Sequence, residues 1–287
     1  MISLMYAAIL NRSLRSIRLA ACILITGIQM ARAQEATTIS TYARQVNKDT
    51  ATVNAILAHA DKLGEQTYTD SLFSLYSMAN RIAKQIRYNR AVVYTACKMG
   101  DFYFNEKRQY RQSKAILYEA LPYLPKLSAK DRKRFVPMTY NLLANALYMN
   151  GQNDSAIYYY SIALNALETT PPANPNMLVQ VYSNMGAVLS ASGQYAKGAE
   201  YLKKTLAVAN IDSVDLAKNY GNLGSLYANF LNNMDSATSW WQKAIPIHKA
   251  LGQTRELQDI YANMGTGWTL MTHQDIAKAQ RYFDTAI

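Results

Sequence analysis

The sequence predicts an all-α protein in which antiparallel helix pairs stack into a solenoid. Three observations lead there. The first is a motif, Tyr-x-Asn-[Met/Leu]-Gly, written three times: "YSNMG" at 182–186, "YGNLG" at 220–224 and "YANMG" at 261–265. The second is a template in which a small or apolar residue is followed four positions later by an aromatic and three later by Ala. It is regular at Leu72/Tyr76/Ala79, Ala156/Tyr160/Ala163 and Ala237/Trp241/Ala244. Looser copies lie at Ser113/Leu117/Ala120, Gly198/Leu202/Thr205 and Ala279/Phe283/Ala286, so the period holds near 41 residues. The third is composition: 12 Gly and 7 Pro in 287 residues, with few long Val/Ile runs, favour helix over sheet.

The chain opens with what reads as an export signal. Arg12, Arg15 and Arg18 precede the apolar run "LAACILITGI" at 19–28, too short to span a bilayer, and "ARA" at 31–33 is a small-residue cleavage site. Cleavage after Ala33 is expected, which would place the protein outside the cytoplasm, in a bacterial periplasm. "LAAC", ending at Cys22, also looks like a lipoprotein box. The apolar run lies mostly after Cys22, which favours ordinary cleavage. No apolar stretch reaches the roughly 20 residues of a membrane-spanning helix.

Residues 34–49 form a short lead-in, and 50–287 hold about six repeats. The template's offsets of four and seven put its three residues on one helix face, the second helix of each unit. Asp70, Asp154 and Asp235 stand just before the template and suit a first helical turn. The opening motif belongs to the first helix, where Tyr182, Met185 and Leu189 share a face, as do Tyr220, Leu223 and Tyr227, and Tyr261, Met264 and Trp268. Gly in mid-helix costs about 1 kcal/mol against Ala, so Gly186, Gly224 and Gly265 imply close approach of a neighbouring helix. Ala144 fills that slot in the third unit. "NGQND" at 150–154 and "SGQY" at 192–195 mark turns between the two helices. One helix pair cannot bury its own apolar face, whereas stacked copies bury a continuous core. The repeated Asn at 184, 222 and 263 lies beside that stripe, where an amide could bridge adjacent helices or meet a ligand. The chain stops at "RYFDTAI", inside a second helix. This is expected to be either an open interface or a truncated C-terminal end.

Helix pairs with a small residue in the first helix and small-x3-aromatic-x2-Ala in the second resemble the tetratricopeptide repeat family, from about residue 50 to 287. The family pattern, W-x2-L-G-x2-Y then A-x3-F-x2-A, is met with Tyr in place of the leading Trp and a period longer than the usual ~34 residues. The resemblance implies a right-handed superhelical solenoid that acts as a non-enzymatic scaffold for a protein or peptide partner. It also implies that first helices line the binding groove, which makes Asn141, Asn145, Tyr148, Ser183, Ala187, Lys218, Ser225, Asp259 and Thr266 the groove candidates. A Lys/Asn/Arg carboxylate clamp of some members is matched only in part, by Asn184 or Asn222 with Lys218, and is not carried over. The exported repeats also look like the sensory half of membrane-linked bacterial regulators. On that alternative, a histidine kinase or transcriptional output domain is missing here.

No catalytic chemistry is legible. His59, His248 and His273 are scattered without metal-ligand spacing, and no nucleophile elbow, zinc-protease or phosphate-loop motif is present. No cofactor, no metal and no enzymatic activity are expected. Cys97 lies in an apolar helical pattern and reads as a buried small hydrophobe. In "YYY" (158–160) and "WW" (240–241) only Tyr160 and Trp241 face the core, which leaves Tyr158, Tyr159 and Trp240 partly exposed.

Charge is uneven. The net charge is +11; removing the leader with its four Arg leaves +7, and residues 81–134 alone hold 14 basic and 4 acidic side chains. Lys126, Lys130, Arg132, Lys133 and Arg134 form the densest patch. Such a block suits a solvated helix face, an acidic protein surface or anionic lipid headgroups; nucleic acid is not expected outside the cytoplasm.

Overall fold

The computed structural model describes residues 48–64, 70–169, 175–270 and 275–286. The leader, with Cys22, and all but the last two residues of the lead-in lie outside the described residues. Among the described residues every regular element is helical, and no helix is long and apolar enough to cross a membrane. In chain order the α-helices are α1 (Thr50–Gly64), α2 (Asp70–Gln85), α3 (Asn89–Asn105), α4 (Tyr110–Ala120), α5 (Ala129–Met149) and α6 (Asn153–Glu168). They continue as α7 (Pro175–Ala191), α8 (Tyr195–Thr205), α9 (Ser213–Asn229), α10 (Met234–Ala250), α11 (Thr254–Leu270) and α12 (Ile276–Ala286), with a 3₁₀ turn at Leu121–Lys126. The chain divides into two compact units, residues 1–95 and 96–287, with the boundary inside α3.

In the first unit α1 buries Val53, Ile56, Leu57 and Ala60, and α2 buries Leu72, Leu75, Tyr76 and Ala79. Two polar ties accompany this apolar contact. Asp61 accepts from the phenols of Tyr76 (2.7 Å) and Tyr94 (2.5 Å), whose rings meet edge-on at 6.4 Å. The buried Asn80 donates its two amide hydrogens to the carbonyl of Val92 (3.2 Å) and the hydroxyl of Thr95 (2.7 Å).

In the second unit each first helix packs on the second helix of its own pair: α5 on α6, α7 on α8, α9 on α10 and α11 on α12. The first helices α5, α7, α9 and α11 also touch in succession, so they form one layer, and α6, α8 and α10 each also pack on the next first helix. The template residues lie where the offsets put them. Ser113, Leu117, Ala120, Ala156, Tyr160, Ala163, Ala237, Trp241 and Ala244 are all at most 1 % exposed.

The mid-helix glycines have a direct steric cause. A Cβ on Gly224 would stand 2.4 Å from Nε1 of Trp241, and one on Gly265 would stand 2.7 Å from the ring of Phe283. Gly186 and Gly198 face each other across α7 and α8: a Cβ on either would come within 3.0 Å of the other's carbonyl oxygen. Gly100 plays the same part for Leu117, at 2.8 Å.

The turns between paired helices reuse one geometry. Gly151 (φ 73°) and Gly193 (φ 77°) take the left-handed conformation, and the amides of Gln152 and Gln194 then donate back to Leu147 (3.0 Å) and Leu189 (2.8 Å). Where no glycine is available, Arg108 takes that conformation at φ 51° and Gln109 closes the turn on Tyr103 at 2.8 Å. Side chains cap other helices: Ser128 caps α5 (3.1 Å), Asp212 caps α9 (2.7 Å) and Asn233 caps α10 (2.9 Å). Asp154 and Asp235 sit in first turns, where negative charge is favourable.

Candidate functional site: the first-helix row

The first helices α9 and α11 carry a polar stripe at offsets i, i+4 and i+7. These positions share a face. On α9 the stripe is Lys218, Asn222 and Ser225; on α11 it is Asp259, Asn263 and Thr266. Lys218, Asn222, Asp259, Asn263 and Thr266 are exposed, and Ser225 is half-buried. On α7 Ala187 is exposed. These side chains offer hydrogen-bond donors and acceptors of both kinds, with a cation at one corresponding position and a carboxylate at the next.

The row differs between α5 and α7, where its amides bond to one another. Asn184 donates to Asn145 (3.0 Å) and to Asn141 (3.2 Å), and Asn145 also accepts from the phenol of Tyr160 (2.6 Å). Ser183 reaches Asn219 on α9 at 2.7 Å, and Asn219 donates to the carbonyl of Asp215 at 2.9 Å. Asn141 is therefore only 6 % exposed and belongs to an inter-repeat tie, which corrects its reading as open groove surface. Asn145, Tyr148 and Ser183 are half-buried.

Of the two roles open to the repeated asparagines, bridging between helices is made among the described residues by Asn184 alone. The reason is the neighbouring helix. Asn184 inserts between two amides. The positions corresponding to Asn141 and Asn145 opposite Asn222 are Ser183 and Ala187, and opposite Asn263 they are Gly221 and Ser225. Ser183 is already engaged and Ala187 offers no acceptor, so Asn222 is left exposed; Asn263 finds no side chain at Gly221, makes no hydrogen bond to Ser225 and is exposed as well.

The leading tyrosines of the motif are not simple core knobs. Tyr140, Tyr182 and Tyr220 each meet an aromatic on the paired second helix, one residue before the template's large side chain. Tyr140 stacks on Tyr159 (centroids 5.6 Å apart, 14° between planes), and Tyr220 stacks on Trp240 (5.9 Å, 22°). Tyr182 tilts on Tyr201 (6.1 Å) and also donates to the carboxylate of Glu168 (2.7 Å). Tyr261 lies near enough to Tyr282 to oppose its ionisation. The spacing of 19 to 21 residues within each pair is the signal in the sequence that points to these partners. Lysines sit over two of these pairs: Lys204 lies 4.6 Å from the Tyr201 ring and Lys243 lies 4.2 Å from the Trp240 ring. Around Tyr159, Tyr118 stands edge-on at 6.0 Å, and Tyr158 is 62 % exposed. Burial, with help from the neighbouring phenols, pushes the Tyr159 hydroxyl up to about 12.

The basic patch lies elsewhere. Lys126 ends the 3₁₀ turn with its ammonium 5.1 Å from the Tyr123 ring, and Lys130, Arg132, Lys133 and Arg134 are exposed in the first turns of α5. Cys97 is buried, its Sγ 3.2 Å from the Thr139 hydroxyl, and burial pushes its thiol up to about 12. His248 is buried beside Gln253, with 2.7 Å between Nδ1 and Oε1. Among the described residues no cluster of His, Cys, Asp and Glu could hold a metal ion.

Antiparallel pairs, a glycine or alanine in the first helix under the template's large second-helix side chain, and first helices touching in succession define the fold. It is that of the tetratricopeptide-like helical-repeat proteins. No protein-family model and no curated protein matches the sequence. Among solved structures the chain is similar to BtubC (BKLC) from P. vanneervenii, with a TM-score of 0.63 and 22 % identity over 83 % of this chain and 90 % of that one. It is similar to aspartyl phosphate phosphatase F from Bacillus subtilis (TM-score 0.58, 15 % identity, 75 % of this chain and 64 % of that one). A third likeness is to a STAND signal-transduction ATPase with a tetratricopeptide repeat sensor from Pyrococcus horikoshii. There the TM-score is 0.52 and identity 14 %, over 85 % of this chain and 40 % of that one. At these identities the likeness is one of fold.

Proposed function

We propose that this chain is a non-enzymatic scaffold, exported by cleavage after Ala33, that binds an extended segment of a partner protein along the exposed first-helix row. The supporting observation is the pair of solvent-facing amides, Asn222 and Asn263, flanked by Lys218 and Asp259. A primary amide both donates and accepts, so it can pair with the repeating N–H and C=O of a peptide backbone. Ala187, Ser225 and Thr266 extend the row. Tyr148, Asn145 and Ser183 stand at its half-buried end. An acidic partner surface is the chemistry that Lys126, Lys130, Arg132, Lys133 and Arg134 would meet.

Site-specific photocrosslinking in the producing cell tests this reading. A photoreactive residue at Asn222 or Thr266 should capture a polypeptide, and one at the exposed Tyr158 should not. Equal capture from both positions, or none from the row, would count against it. The N-terminal residue of the isolated protein decides export. Gln34 supports cleavage, and an intact Met1 rejects it.

A second reading is the sensory region of a membrane-linked signalling protein. The likeness to a protein described as carrying a tetratricopeptide repeat sensor favours it. An intact mass from the native host far above that of this chain would support this alternative.

A further inference from the structure

We propose that the segment held along the first-helix row is a polyproline-II stretch with an acidic and a basic residue three positions apart. The inference rests on the peptide-binding reading and specifies its ligand. Lys218 on α9 and Asp259 on α11 each stand two residues before the motif tyrosine of their helix, Tyr220 and Tyr261. Asn222 and Asn263 stand two residues after it, one turn further along the same face. All four are exposed, and none of their side chains makes a hydrogen bond or ion pair with another described residue.

Nearby charges leave this pattern open. Asp215 lies one turn before Lys218, and Arg255 and Glu256 lie one turn before Asp259, yet none of them forms an ion pair with either residue. On α7 the corresponding position is Gln180, exposed and neutral. Across three successive first helices the row therefore reads amide, cation, carboxylate. Its complement reads polar, acid, base.

Spacing selects the backbone form. Cα atoms of α9 and α11 approach within 8 Å. Helices packed in this way have axes about 8–10 Å apart, and that is the step a segment takes from one first helix to the next. In a polyproline-II helix, residues three apart share a side and are separated by about 9.3 Å. In a β-strand, same-face residues two apart are separated by roughly 6.8 Å, which falls short, and those four apart by roughly 13.6 Å, which overshoots. A polyproline-II backbone also has no internal hydrogen bonds, so its carbonyls are open to the amides of Asn222 and Asn263.

Fluorescence anisotropy on the full chain at low salt tests this, with labelled peptides in one Pro- and Ala-rich frame. A Glu-x-x-Lys peptide is expected to bind about tenfold more tightly than Gln-x-x-Gln or Glu-x-Lys, the factor that two exposed ion pairs together supply. K218E should turn the preference to Lys-x-x-Lys, and D259K should turn it to Glu-x-x-Glu. Both positions are exposed and unpaired, so each variant should keep the parent's Tm. Raising salt should level the panel. The inference is overturned if Glu-x-Lys binds as tightly as Glu-x-x-Lys, if Lys-x-x-Lys is the tightest ligand of the parent chain, or if neither variant changes its preference. Photocrosslinking separates that failure from failure of the reading beneath it. Capture at Asn222 that persists undiminished in K218E/D259K keeps the peptide-binding reading and removes the charge register. Absence of capture at both Asn222 and Thr266 removes both.

Discussion

Gly224 and Gly221 lie three residues apart on α9, and alanine should move stability in opposite directions at the two. At Gly221 nothing lies within 4 Å of the added Cβ. The substitution only removes backbone freedom and should stabilise the protein by up to about 1 kcal/mol. At Gly224 the same Cβ would stand 2.4, 2.5 and 2.7 Å from three atoms of the Trp241 indole. That ring is 1 % exposed and rigid, so relief requires the ring or a helix to move by roughly 1 Å in a filled core. Overpacking of this kind costs about 1–3 kcal/mol or more, which exceeds the propensity gain. A net loss of about 2 kcal/mol is expected, or a fall in Tm of roughly 4–8 °C for a chain of this size. Thermal melts of G221A, G224A and G224A/W241F decide the matter. The double variant should lose less than the sum of its parts, because the smaller ring removes the clash. A G224A protein as stable as the parent would refute the claim that this glycine exists to admit Trp241.

Further outcomes follow from the same geometry. Burial raises the phenols of Tyr159, Tyr160 and Tyr182, so folded phenols stay protonated where unfolded ones ionise. Their contribution is complete below pH of about 10 and is lost as pH rises toward and past the folded values; melts from neutral to strongly alkaline pH should show Tm falling only above about 10. The Cys97 thiol should resist a thiol reagent in the native chain and react once denaturant is added, because it is both buried and held protonated. Arg108→Gly should stabilise by about 1 kcal/mol, since a side chain at φ 51° strains the turn that glycine makes elsewhere; an unchanged urea midpoint would contradict this.

The helix pairs were legible because they rest on local, repeated constraints. A small-x3-aromatic-x2-Ala run has one face whatever its surroundings. A glycine recurring in mid-helix demands a large neighbour, and Trp241 and Phe283 are where the template put large residues. The leading tyrosines were harder to read. Their partners, Tyr159, Tyr201, Trp240 and Tyr282, sit on another helix, and nothing local distinguishes such a residue from a solvent-facing aromatic. The asparagines were legible as a pattern but not as a role. Whether an amide bonds across helices depends on what the next repeat offers, and Asn184 meets two amides where Asn263 meets Gly221 and Ser225. The basic block was visible as composition. That its cations at the start of α5 share one exposed side, with Asp131 and Phe135 on the closed side, could be seen only in the structure.

The uneven amide ties have a consequence for how the array comes apart. In a stack whose members touch only their neighbours, stability is a sum of repeat and seam energies. The seams from α5 to α7 and from α7 to α9 carry side-chain hydrogen bonds through Asn184 and Ser183. Among the described residues none joins α9 to α11, and the Met234 thioether that meets Gly267 comes from the second helix α10. The last pair is therefore held by apolar contact alone along that layer and should open first, as a separate exchange unit. Amide hydrogen exchange should then show α11 and α12 losing protection before α5 to α8. The array would be a zipper with one loose tooth, the α11–α12 pair, beside a firmly latched stretch from α5 to α9.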